Sequence, residues 1–434
     1  MLPYIQTLCH RFPNLTSIHI KTVLGDVNDL LCQISKFSFK LKSLKLSNIN
    51  KFPTKGLRVL SKKFTTLTSL TCFNIHYLNN KPFALISNCF PLLEEFHLWQ
   101  NSCIDNLQDG VITMLMALPK LRKINLSSYY GHYSKINDGF LLNLCKNCEF
   151  LEEIVIFIYC PLLTQDGIAS AIRERPSLTS LSISFRCNGN QNNINSHVID
   201  SFVRLKGLTC LDFWDTEISD ELLSYIATED LPLRRLVLQN CTGYSYAGIV
   251  SLLSKCQHIQ HLDLRRTEFL NDQHVVQLSL SMRNLVSINL SECDMLTKLA
   301  LFELVRKCPL LSEIKMENIW SEIVENSDSM MDFGVYPQLK SLHLADNLWL
   351  TDENINTFAS IFPNLQLLDL NSCTGTVRFY VAYTLYVLCI HFIYPLNLIL
   401  IFKFYISKTH TGTVRFYVAF IICSMFCVSI LFIH

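Results

Sequence analysis

No charge of either sign predominates in this 434-residue sequence. Lys plus Arg number 37 against 36 Asp plus Glu, which excludes the basic surplus that a nucleic-acid-binding surface needs. It contains no G-x-x-x-x-G-K-[ST] loop, no G-x-G-x-x-G, no H-E-x-x-H and no G-x-S-x-G elbow. Nucleotide-dependent, zinc-peptidase and serine-hydrolase chemistry therefore has no residues to carry it, and no enzyme is expected. The thirteen histidines lack ligand spacing. A lone C-x-x-C, Cys145 and Cys148, has no second pair at zinc-site distance, so neither a metal nor a cofactor is expected. Nor does the opening MLPYIQTLCHRFPNL carry an apolar core behind a charged start, which argues against a secretory leader. The 18 cysteines are dispersed instead of forming a dense framework, and a reducing cytoplasmic or nuclear compartment is expected.

What is present is a period. The pattern apolar-x-x-apolar-x-apolar begins at Leu15, Leu41, Leu67, Leu93, Leu121, Leu151, Leu178, Leu208, Leu233, Ile259, Leu285, Leu311, Leu339 and Leu365, in steps of 25 to 30 residues. One strand and one short helix cannot enclose a core alone, so each unit must bury its apolar face against its neighbours. The expected fold is α/β: a leucine-rich-repeat solenoid, horseshoe-like, with a parallel concave sheet and convex helices, over residues 1–373. In the unit from Leu233 to Ile259, Leu233, Leu236 and Leu238 alternate as a strand, and apolar positions 249, 250, 252 and 253 follow at helical spacing. Asn137, Ser219, Asn271 and Thr351, each followed by Asp, supply helix N-cap signals. Prolines in FPNL, LPKL, RPSL and YPQL close helices before the next strand.

Cysteines have assigned places in this scheme. Cys241, Cys293 and Cys373 stand three residues after the last apolar strand residue, where Asn101, Thr216, Thr267 and Asn347 stand in other repeats. Such side chains form a structural ladder, turning inward to bond loop backbone that would otherwise be buried unpaired. Cys89, Cys148, Cys256 and Cys308 recur at helix ends.

Residues flanking the buried strand positions must point out of the sheet. One such column runs Phe73, Trp99, Ser127, Phe157, Ser184, Trp214, Gln239, Arg265, with Glu95, Glu153, Asp212, Arg235, His261 and Asp263 beside it. Aromatics and Arg anchor protein interfaces. The candidate partner-binding surface is therefore Phe73, Trp99, Phe157, Trp214, Asp212, Arg235, His261, Asp263 and Arg265, for a protein target. The alternative is that inter-repeat loops cover these rings.

The pattern C-P-x-L-x-x-L-x-L-x-x-C with a T-D-x-G-like helix start, spread over residues 12–373, resembles the cysteine-containing repeats of F-box/leucine-rich-repeat proteins, especially those of plants. That resemblance implies a solenoid that captures substrates for a Skp1-Cullin-F-box ubiquitin ligase, and a separate F-box that binds a Skp1-type adaptor. Only eleven residues precede Phe12, and a helical core of that kind needs roughly forty. A Skp1-type adaptor is thus expected as a partner only where an F-box is encoded upstream. The other reading is a ligase-independent binding scaffold.

Composition changes after Cys373. Residues 374–434 carry Arg378, Lys403, Lys408 and Arg415 and no acid. Residues 379–402 and 416–434 are long enough to cross a bilayer, so membrane association is one expectation for this tail. Pro395, His391 and the basic linker weigh against it. So does the identical TGTVRFYVA at 374–382 and 411–419, which supports translated noncoding or duplicated sequence instead.

Overall fold

A computed structural model describes residues 11–21, 26–76, 78, 81–100, 108–128, 136–157, 160, 162–184, 194–319 and 334–373, with 423–424 and 427–428. The chain separates into two compact units, the first reaching Ser177 and the second starting at Leu178.

The first unit holds strands β1 (Ser17–Lys21), β2 (Ser43–Ser47), β3 (Ser69–Phe73), β4 (Glu95–Gln100), β5 (Lys123–Ser128) and β6 (Glu153–Phe157). Each begins two residues after the first apolar position of its repeat. Neighbours in sequence pair in parallel, and the register aligns Leu44, Leu70, Phe96, Ile124 and Ile154 across β2 to β6. Parallel pairing follows because a helix returns the chain to the same edge after every strand. Those helices are α1 (Val27–Ile34), α2 (Thr54–Lys63), α3 (Lys81–Cys89), α4 (Gln108–Met116), α5 (Asp138–Asn147) and α6 (Gln165–Glu174).

The second unit repeats the plan with β7 (Ser180–Ile183), β8 (Cys210–Trp214), β9 (Arg235–Gln239), β10 (His261–Asp263), β11 (Ser287–Asn289), β12 (Glu313–Lys315), β13 (Ser341–His343) and β14 (Leu367–Asp369). Its helices are α7 (Ser196–Val203), α8 (Asp220–Thr228), α9 (Tyr246–Lys255), α10 (Asp272–Ser279), α11 (Lys298–Lys307) and α12 (Asp352–Ile361). Alternation fixes the core. Leu236 and Leu238 of β9 are fully buried, as are Leu222 and Leu223 of α8 and Leu252 of α9. Full burial of one such side chain contributes roughly 1.5–3 kcal/mol.

Two backbone devices recur. The residue before six of the ladder positions adopts the left-handed conformation: φ is 54° at Asp215, 56° at Asn240, 61° at Arg266, 59° at Glu292, 60° at Asp346 and 61° at Ser372. That turn drives the next side chain inward and ends the strand. Helix starts are capped by Asn137, Ser219, Asn271 and Thr351. The Asp after three of these caps has a separate task, bonding the cap residue of the following helix. Asp138 accepts from the backbone N–H and hydroxyl of Thr164 at 2.7 and 2.8 Å. Asp272 does the same with Thr297 at 2.9 and 2.6 Å.

The candidate membrane stretches 379–402 and 416–434 lie outside the described residues, apart from a short antiparallel pair, β15 (Cys423–Ser424) and β16 (Cys427–Val428). Among the described residues no helix is long and apolar enough to cross a membrane.

Candidate functional site: the helix-distal sheet face

Burial of alternate strand residues leaves the others on the sheet face away from the helices, and each unit carries its own set. In the first unit Phe73 and Trp99 are register partners on β3 and β4. Their rings stack with centroids 4.2 Å apart and planes 7° from parallel. Phe157 is half-buried in the same column. The register interposes Ser127 of β5 between it and Trp99, so two strand spacings, about 10 Å, separate their backbones.

At the opposite end of the same strands Lys123 Nζ lies 3.1 Å from Glu95 Oε1. Burial pushes the Glu95 carboxyl up, but bonds from Lys123 and Ser69 outweigh it and hold the group below the usual carboxylate range. Burial lowers His97. His19 is lowered by burial and by Lys45 and Lys21, and its Nε2 is 2.9 Å from Ser47 Oγ. This surface combines two stacked rings with imidazoles biased toward neutrality and a fixed Lys–Glu pair.

The second unit places Asp212, Val237, Asp263 and Asn289 in one row across β8 to β11. Burial pushes the Asp212 carboxyl up to about 7; nearby Asp263 adds to the rise, while Arg235 and Ser182 oppose it. Asp263 is better satisfied: Asn289 Nδ2 donates to Oδ2 at 2.8 Å, and the Arg265 backbone N–H donates to Oδ1 at 3.0 Å. Burial and Arg235 lower His261. Arg235 itself is exposed, and Trp214 is half-buried beside Gln239 on the next strand.

Arg265, expected to offer its guanidinium to a partner, is engaged within the chain. Its Nε donates to Glu292 Oε1 at 2.7 Å, and Arg266 binds the other oxygen of the same carboxylate. Sequence columns did not reveal this because Glu292 sits at a left-handed turn of the next coil.

The ladder positions sit inward. Cys241 Sγ lies 3.5 Å from Phe213 O, Cys293 Sγ 3.2 Å from Leu264 O and Cys373 Sγ 3.1 Å from Leu344 O, each carbonyl belonging to the preceding coil. Asn347 donates to Met316 O and Leu344 O and accepts from the Ile319 N–H. Thr267 donates to Leu264 O at 2.7 Å, and Thr216 to Trp214 O at 2.9 Å. Asn101 lies outside the described residues. Cys145 and Cys148 are buried, which pushes their thiols up to about 12 and about 11. They are neutral thiols, unsuited to nucleophilic attack.

A group not anticipated from sequence lies on the last strands. His343 of β13 is approached by Glu313 and Glu317 from one side and Asp369 from the other. The outward columns extend to these residues, and following them past Arg265 would have brought His343 and Asp369 into view.

Successive strand–turn–helix coils with an inward ladder residue define a leucine-rich-repeat protein. Its relatives at low identity are F-box/LRR-type proteins. A stretch of 112 residues is 32% identical to a Transport inhibitor response 1-like protein of rice (Oryza sativa subsp. japonica), covering 25% of this chain and 19% of that protein. Another of 132 residues is 28% identical to F-box/LRR-repeat protein 4 of cattle (Bos taurus), covering 30% of this chain and 21% of that one. The chain thus matches about a fifth of the length of these relatives. No family model matches. Among solved structures, a chain of the yeast Rad7 and Elc1 complex aligns with a TM-score of 0.56 at 17% identity, covering 87% of this chain and 84% of that one. That likeness is one of fold.

Proposed function

We propose that this chain recognises a protein target on the helix-distal face of its sheet and presents it to a ubiquitin ligase of the Skp1-Cullin-F-box type. The stacked pair of Phe73 and Trp99 carries the binding half of the reading. Two large rings held parallel on a sheet face offer rigid apolar area at little cost in side-chain entropy, the property of interface anchors. The ligase half rests on the similarity of the repeats to F-box/LRR-type proteins. A Skp1-type adaptor would bind an F-box module outside the repeats. Free, hydrogen-bonded cysteines in the ladder support a reducing compartment, cytoplasmic or nuclear.

The test uses the native full-length protein, wild type and F73A/W99A, with crosslinking capture, quantitative mass spectrometry and co-purification with a Skp1-type adaptor. The expected result is a defined set of partners lost in the variant while its melting temperature is retained, with ubiquitylation of those partners dependent on the adaptor. Partners lost in the variant without any adaptor dependence would instead establish a ligase-independent scaffold. Capture that ignores both substitutions would move recognition off this face.

A further inference from the structure

The last strands of the second unit assemble three side chains with the donor set of a metal site. His343 Nδ1 lies 3.9 Å from Glu317 Oε1 and 3.8 Å from Asp369 Oδ2, and one ligand atom from each of the three falls within 4.8 Å of the others. Both separations exceed the roughly 2.7–2.9 Å of a direct charge-assisted hydrogen bond. Ligand atoms held about 2.1 Å from a common centre lie roughly 3–4 Å from one another, so the observed cluster needs to contract by only a few tenths of an ångström on its histidine edges. We propose that Glu317, His343 and Asp369 bind a first-row divalent transition-metal ion.

The surroundings orient the ligands. His343 Nε2 lies 3.0 Å from Ser341 Oγ and 3.6 Å from Glu313 Oε1. The Ser341 hydroxyl thus partners Nε2, and Nδ1 is the ring nitrogen that faces Glu317 and Asp369; metal-binding histidines are commonly oriented in this way by a partner on the other ring nitrogen. Glu313 is in turn held by the Ser287 hydroxyl at 2.7 Å and by Lys315 Nζ at 3.5 Å. On Asp369 the Asn371 backbone N–H occupies Oδ1 at 3.1 Å, and Oδ2 is the oxygen turned to the imidazole. The backbone N–H of Glu317 donates to Ser291 Oγ at 3.1 Å. One imidazole and two carboxylates give an N/O donor set with no sulfur, which suits Mn²⁺, Co²⁺ or Zn²⁺ with the remaining positions filled by water. No local motif marks this site, because its ligands come from three coils, 26 residues separating each from the next.

The site is independent of the recognition reading, and so is its test. Purified full-length protein is titrated with Co²⁺ alone, followed by calorimetry and visible absorption, which distinguishes nitrogen and oxygen ligands from the chain's many thiols through the thiolate-to-cobalt charge-transfer band. The expected result is one equivalent bound without that band. H343A and E317Q/D369N should abolish binding, and E313Q, which neutralises the carboxylate beside Nε2 and leaves all three ligands in place, should weaken it about 10-fold. All three variants should keep their circular dichroism and melting temperature in metal-free buffer. Absence of saturable binding, binding that persists in H343A, or a thiolate band unaffected by the substitutions would each overturn the proposal.

Discussion

The carboxylate of Asp220 accepts two hydrogen bonds from Ser245, one from its backbone N–H at 2.8 Å and one from its hydroxyl at 2.6 Å. Ser245 caps α9 while Asp220 opens α8, so one side chain joins the starts of two successive helices. Gly248 belongs to the same joint. A Cβ placed there would stand 2.0 Å from Asp220 Oδ1, so only glycine lets the carboxylate approach.

D220A and G248A are therefore each expected to lower stability, by about 1–3 kcal/mol, because each breaks hydrogen bonds to a charged acceptor. Their double variant should cost less than the sum of the two, since both act on one contact. D352A is the internal control. Asp352 follows its cap in the same way, but its Oδ1 is buried without a partner among the described residues, and its loss should cost less than that of Asp220. Urea unfolding monitored by circular dichroism checks all four.

The left-handed turn before the ladder residue gives a second expectation at Cys241. Asn240 has φ 56° and donates through Nδ2 to Asp215 Oδ1 at 2.8 Å. N240V places a β-branched residue where such backbone is disfavoured and removes the bond, and should cost on the order of 1–3 kcal/mol. N240G relieves the backbone and loses only the bond, so it should cost less. Equal losses in thermal unfolding would show that the side-chain bond alone mattered.

Asp212 sets a pH dependence. Its folded value of about 7 lies above an ordinary aspartate near 3.8, burial being the main cause. Between those values the folded chain holds a proton that the unfolded chain has lost, so this group's contribution to stability declines as pH rises from about 4 to about 7 and is constant above. D212N removes the ionisation. The variant should match the wild type near pH 4 and become progressively more stable up to about pH 7, by at most ~4 kcal/mol and less to the extent that water reaches the carboxyl. Parallel chemical-denaturation series at several pH values check this, and a stability difference that does not change with pH would refute the raised value.

The repeat period was legible because it is written in short local pieces. Every strand of the repeats begins two residues after its first apolar position, from Ser17 behind Leu15 to Leu367 behind Leu365, and alternation places the core residues, although Val155, Ser182 and Val237 between them are buried as well. Asn137, Ser219, Asn271 and Thr351 could be assigned as caps because a cap acts on amides two or three residues away. The outward placement of Phe73, Trp99 and Trp214 followed from the same alternation.

Contacts between coils were not legible in that way. Alternation put Arg265 on the surface but did not show that Glu292, from the next coil, holds it. It put Asp220 beside a cap but not against Ser245, and it gave no reason for His343 to face Glu317 and Asp369. Strand position, the core-facing set and capping are thus set by neighbours within a few residues, and the sequence by itself determined them. Which side chains meet across coils depends on angles and turn geometry accumulated over some 26 residues of chain, and only the tertiary structure decided them.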